Sequence, residues 1–194
     1  ITQISLEKNF LNNAMRKSEI HENLRNAVKS GDLELVRELL DLGANPDIKK
    51  HGGWRPIHYA SEQGHEAILY ELSQRGADLN ATTTNGQNPL ILACCHGHTE
   101  AVEVLISCGC DINAADKQGN TALMWAAQEG WMDIVETLVD HSAKVNLLNK
   151  ENESPLMAAA ASGHSQIVQL LIDHGAELES CHLHHGTALI LAAR

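Results

Sequence analysis

The densest run of reactive side chains is Cys181-His182-Leu183-His184-His185, four potential metal ligands within five residues. Thiolate and imidazole are ligands that a zinc ion prefers, but zinc sites draw them from two separated pairs so that the chain folds around the ion. Here they form a single run, so we read it as a solvated turn tip and expect no metal. Cys94 and Cys95 are adjacent, and the full set of five cysteines is odd. Such a set argues against a disulfide framework and for a reducing compartment. His65, His98 and His164 recur at multiples of one interval, which suits a structural position better than a catalytic cluster. Gly-x-Ser-x-Gly, His-Glu-x-x-His, a phosphate-cradling glycine loop and a kinase signature are all absent from the sequence. No catalytic residue is assigned, no cofactor is expected, and the chain is read as not an enzyme. Trp54, Trp125 and Trp131 are half of the aromatic residues. A tryptophan is large and semi-rigid and carries a polar N–H, which makes it a favoured binding anchor.

The elements that position these residues follow from one period. Ala27, Ala60, Ala93, Ala126, Ala159 and Ala192 are spaced by 33 residues. Leu24, Ile57, Leu90, Leu123, Leu156 and Leu189 keep the same spacing, as do Gly31, Gly64, Gly97, Gly130 and Gly163. Gly43, Gly76, Gly109 and Gly175 form another column, with Ser142 in the remaining slot. Several columns in one register define a repeat. Residues 83 to 114 show its content. Gly86 lies in a polar turn, and Pro89 opens a helix where its missing N–H is harmless. Leu90 to His96 is a short helix that Gly97 stops. Ala101, Val102, Leu105 and Ile106 form the apolar stripe of a second helix, which ends at Gly109. One such unit cannot bury its apolar face, but stacked units can, and the result is a solenoid.

Composition narrows the function. With 14 basic and 25 acidic side chains the formal net charge is −11. Phosphate backbones would be repelled over most of the surface, so no nucleic acid partner is expected. No apolar run reaches the roughly 18 residues of a membrane span, and no signal segment is evident, so no direct membrane insertion is expected. The expected compartment is intracellular, the cytoplasm first, with the nucleus left open. The chain begins without Met and ends inside an apolar helical pattern, Leu191 to Arg194, so we expect a piece of a longer protein.

The repeat resembles the ankyrin repeat, whose period is 33 and whose signature is Thr-Pro-Leu-His-x-Ala. The run appears here as Arg55-Pro56-Ile57-His58-Tyr59-Ala60, Asn88-Pro89-Leu90-Ile91-Leu92-Ala93 and Thr121-Ala122-Leu123-Met124-Trp125-Ala126. Ser154-Pro155-Leu156-Met157-Ala158-Ala159 and Thr187-Ala188-Leu189-Ile190-Leu191-Ala192 continue it. The signature His survives only at His58, so its bracing hydrogen bond is expected to be missing from most repeats. Asn152 and His185 stand where the turn usually has Gly, and altered or strained turns are expected there. The resemblance implies an all-α solenoid of stacked helix pairs, with an N-terminal helical cap and a C-terminal repeat cut short. Residues 1–20 are read as a helical or flexible leader, and residues 21–194 as the repeat domain, about five repeats and the start of a sixth.

The resemblance also implies a concave surface, made of turn tips and first helices, on which partners dock. Its columns hold Trp54, Tyr59, Glu62 and Gln63, then Gln87, Leu92, Cys95 and His96. Asn120, Trp125, Gln128 and Glu129 follow, then Glu153, Ala158, Ala161 and Ser162. For Trp54 and Trp125, contact with a partner and internal packing both remain open, whereas Trp131 is read as helix-start packing. Cys95 should face the groove, while Cys94 and Cys110 occupy columns where Ala is usual. The expected function is a protein-interaction module for a partner protein or peptide, with a basic segment suiting the acidic surface. The alternative is the targeting or regulatory arm of a larger enzyme, of kinase or ubiquitin ligase type, or of a channel. Asn80, Asn113 and Asn146 each follow a Leu by eight residues, a spacing similar to that of ankyrin repeats modified by asparagine hydroxylases. A structural turn role accounts for the same asparagines.

Overall fold

The computed structural model describes residues 17–178 and a short strand pair beyond them. Helices come in pairs. The first pair is α1 (Lys17–Ser30) and α2 (Leu33–Asp41), followed by α3 (Pro56–Gln63) and α4 (Glu66–Gln74). Then come α5 (Pro89–His96) with α6 (Thr99–Ser107), α7 (Ala122–Glu129) with α8 (Met132–Asp140), and α9 (Pro155–Ala161) with α10 (Ser165–Asp173). The strands β1 (Cys181–His182) and β2 (Gly186–Thr187) pair antiparallel. The first helices α1, α3, α5, α7 and α9 stack side by side as an inner row, and their partners form an outer row.

The two rows share one continuous core. The column Leu24, Ile57, Leu90, Leu123 and Leu156 is almost wholly excluded from water. Ala27, Ala60, Ala93, Ala126 and Ala159 are buried beside it, where a small side chain lets neighbouring inner helices approach. From the outer row come Leu39, Leu72, Leu105, Leu138 and Leu171, also buried. This is the expected solenoid, in which each unit covers the apolar face of the next.

Gly97 shows why the turn between paired helices needs glycine. Its φ is +74°, and a Cβ built there would lie 2.7 Å from the Trp131 ring. Both the backbone conformation and the space therefore exclude a side chain. Ser142 and Asn152 adopt the same left-handed region without glycine, at φ +66° and +60°. At Asn152 the turn keeps its shape, since Asn149 N–H donates to the Glu153 carbonyl at 3.0 Å. Asparagine tolerates this region well enough for the hairpin to close.

Two ladders join successive units. At the turn tips, Thr84 N–H donates to Gly52 O, Lys117 N–H to Asn85 O, and Lys150 N–H to Gln118 O, at 2.8, 3.0 and 2.9 Å. At the other turns, the Asn80, Asn113 and Asn146 side-chain oxygens accept the N–H of Asp111, Lys144 and Glu177 at 2.8, 2.8 and 2.9 Å. Asp47 accepts the Asp78 N–H in the same way. These polar atoms are satisfied only by a neighbouring repeat, so stacking fixes the spacing of the turns as well as burying the core.

The first end differs from the interior. α1 is the longest helix of the described residues and crosses residue 20, with Ile20 buried against the core. At this end Asn23, Asn26 and Ser30 of α1 lie beside the exposed Leu35 of α2, so the end is not wholly polar. Residues 1–16 lie outside the described residues, as do the side chains of the Cys181–His185 tip.

Candidate partner-binding groove

The inner row and the turn tips carry the residues expected to face a partner, and the structure gathers several of them into two stations. The first is built on α3 and the tip before it. Trp54 packs against Tyr59 with ring centroids 4.9 Å apart and the planes tilted by 35°, and it leans on His58 at 5.8 Å. The Lys29 ammonium, from α1, lies 4.4 Å from the Tyr59 ring centroid, a cation–π contact that the sequence did not disclose. Beneath them Arg25 pairs with Glu22, and Lys50 approaches the same carboxylate at 3.8 Å. The Arg25 hydrogen bond holds the Glu22 carboxyl below its usual range, while burial pushes the Tyr59 phenol up. Glu62 is half-buried nearby, and Gln63 is exposed at the end of α3.

His58 anchors this station from below. It is fully buried, accepts the Arg55 N–H at Nδ1 and donates from Nε2 to the Ala81 carbonyl, both at 3.0 Å. The next three repeats carry Ile91, Met124 and Met157 in that column, so the histidine bridge is absent there. Their helices are capped instead by Asn88, Thr121 and Ser154, whose side-chain oxygens accept the N–H of Ile91, Met124 and Met157.

The second station is built on α7. The Trp125 indole N–H donates to Asp116 Oδ2 at 3.2 Å, which fixes the ring against the turn tip. Asp116 Oδ1 also accepts the N–H of Gln118 and Asn120, so the carboxylate is held by its own turn. Gln128 and Glu129 are exposed at the end of α7 and bonded to each other at 3.3 Å. Further along, the Asn149 amide donates to Asn120 Oδ1 at 2.7 Å and to Glu153 Oε2 at 3.0 Å. Sequence reasoning missed Asp116 and Asn149. Their signal was an acceptor side chain opening each polar turn, a position that favours self-bonded turns.

Between the stations, Leu92 and Cys95 lie on α5. Leu92 is only 3% exposed and forms the floor. Burial pushes the half-buried Cys95 thiol up to about 12, with Glu129 and Asp116 adding to the effect. Burial likewise pushes Cys110 up to about 12 and Cys94 well above its usual range. Protonated thiols are poor nucleophiles, so these side chains act as small packing groups. His96, exposed, donates from Nδ1 to the Leu92 carbonyl and stacks on His98. Gln87 is half-buried at its tip, while Ser162 is exposed where α9 ends.

The recurrent histidines are structural. Nε2 of His98 and of His164 lies 3.0 Å from the carbonyl of Glu62 and of Gln128, on the preceding inner helix. His65 approaches Lys29 O at 3.4 Å. Trp131 takes the same column, and its ring covers Gly97 of the preceding repeat, though it is 41% exposed. Among the described residues, no group of His, Cys, Asp and Glu is arranged to hold a metal ion. None of the described helices is long and apolar enough to cross a membrane.

Helix pairs stacked at a 33-residue period, with their turn tips joined by a hydrogen-bond ladder, define a class of repeat proteins. The family model for ankyrin repeats (3 copies) matches residues 24–116, 68–149, 108–182 and 143–194, and the chain belongs to the ankyrin repeat family. It is similar to the mouse ankyrin repeat, SAM and basic leucine zipper domain-containing protein 1, with 39% identity over 51 residues. That stretch is 26% of this chain and 11% of the mouse protein, so the match spans about a tenth of that relative's length. Ankyrin repeats are in general protein–protein interaction modules.

Proposed function

We propose that this chain binds a partner protein in the concave groove, through an extended peptide or an exposed loop, and has no catalytic activity of its own. Residues 21–194 act as the binding unit. The carrying observation is the pair of half-exposed aromatic stations, Trp54–Tyr59 and Trp125, each held in place by internal contacts. Anchors that are already ordered lose little conformational freedom on binding. Exposed Gln63, His96, Gln128, Glu129 and Ser162 supply a polar rim, and the groove's carboxylates favour a partner with a basic segment. The same carboxylates disfavour nucleic acid. The four cysteines of the described residues are free thiols, which supports an intracellular compartment, the cytoplasm first.

Affinity capture from cell lysate tests the reading, with the 194-residue chain beside a Trp125→Ala/Glu129→Lys variant that keeps its helical circular dichroism. A partner held by the wild type and lost by the variant is expected. Equal capture by both would place binding elsewhere on the surface.

A further inference from the structure

Charge is unevenly spread along the solenoid. Residues 17–78 carry 11 acidic and 8 basic side chains, whereas residues 79–178 carry 12 acidic and only 3 basic. In the first part six carboxylates are matched internally by Lys or Arg. Arg55 reaches Asp47 and Asp78 at 3.1 Å, Arg37 reaches Glu71 at 3.0 Å, and Arg75 reaches Asp41 at 2.9 Å. Glu22 is shared by Arg25 and Lys50. In the second part the groove-side Asp116 and Glu129 have no Lys or Arg partner among the described residues. Their bonds go to Trp125, to Gln128 and to backbone N–H groups.

The two aromatic stations inherit this asymmetry. Tyr59 already has the Lys29 ammonium against its ring, Arg25 and Lys50 are both paired to Glu22, and Glu62 lies nearby, so the ring face is taken by a cation and an apolar group is accepted beside it. Trp125 has the opposite surroundings. Asp116 is bonded to its indole N–H, Glu129 lies one turn further along the same helix, and Glu153 follows at the next tip. A Lys or Arg side chain placed over Trp125 gains both the ring face and the carboxylates. Burial above all raises the Cys95 thiol on α5, and Glu129 and Asp116 lie close enough to add to it.

We propose that the groove takes an extended peptide in one direction only, with an apolar side chain against Trp54 and Tyr59 and Lys or Arg side chains over Trp125, Asp116 and Glu129. This rests on the groove reading above. The stations lie two inner helices apart, roughly 16–20 Å at the usual 8–10 Å between packed helices. An extended chain advances about 3.3 Å per residue, so about five or six residues separate the apolar residue from the first basic one. A peptide lying the other way would set its cations against the Lys29 ammonium.

Selection from a displayed library of random peptides, each about twelve residues long, tests the proposal on the 194-residue chain. Selected peptides are expected to share an apolar residue and a Lys or Arg about five or six positions away, always in the same sense. A synthetic peptide of that pattern is expected to bind about tenfold more weakly to an Asp116→Asn/Glu129→Gln variant. Its affinity for Lys29→Gln/Lys50→Gln is expected to stay within about twofold or to improve. Trp125→Ala serves as the check on the groove itself. If that variant loses the peptide but the two charge variants behave alike, the direction is overturned and the groove reading stands. If Trp125→Ala binds as well as wild type, or no peptide is selected, both are overturned.

Discussion

His58 is neutral because it is buried, and its pKa is held below the ordinary value of 6.5 by desolvation above all. The unfolded chain therefore binds a proton that the folded chain refuses, and stability must fall as pH drops through the unfolded value. We expect urea midpoints to fall from about pH 7 to about pH 5, and to fall less in a His58→Leu chain. An equal slope in both would show that His58 is not the titrating group. His58→Leu should itself cost about 1–3 kcal/mol at neutral pH, since it strands the Ala81 carbonyl and the Arg55 N–H. Glycine positions give a second contrast. Gly97→Ala meets both a left-handed backbone and the Trp131 ring, whereas a Cβ at Gly109 meets nothing within 4 Å. The first should lose about 2 kcal/mol or more and the second about 1 kcal/mol, measured by chemical denaturation. The columns of His58 and Gly97 were legible from the period alone. The partners were not, because Ala81 and Trp131 belong to the next repeat and only stacking brings them close.

Helix limits were legible to within a residue or so where punctuation is strong. Pro89 opens α5 and Gly97 closes it, as their backbone chemistry requires. Departures from the signature were legible as gaps but not as replacements. The missing histidine at Ile91 is offset by Asn88, which is 1% exposed and accepts the Ile91 N–H at 2.8 Å. Asn88→Ala should therefore cost about 1–2 kcal/mol, while retention of full stability would show that the cap is redundant. Ser142 fills a glycine slot at φ +66°. Ser142→Gly relieves about 1 kcal/mol of backbone strain and gives part of it back as unfolded-state entropy, so a net gain of about 0.5 kcal/mol is expected. The cation beside Tyr59 and the carboxylate beside Trp125 escaped the sequence reading for one reason. Lys29 and Asp116 come from a neighbouring helix and a turn tip, and helical periodicity relates only residues of one helix.

Across the whole molecule, stability and recognition draw on the same uneven charge. A formal −11, concentrated where basic residues are fewest, opposes compaction through self-repulsion. Raising the salt from about 0.05 M to about 0.5 M should raise the melting temperature by shortening the screening length, and an unchanged value would show that local pairing already cancels the field. Fold class was the most legible property, because a 33-residue period constrains every unit at once. The residues of the two stations were named from the period, but the Trp54–Tyr59 contact and the Trp125–Asp116 bond were not, because periodicity does not say how a turn tip folds onto its helix. Hydrogen exchange with mass readout, on the chain alone and with its captured partner, tests the central claim most directly. Our account predicts added protection at the turn tips and inner helices α3, α5 and α7, with the outer helices α4, α6 and α8 unchanged. Protection confined to the outer helices would contradict it.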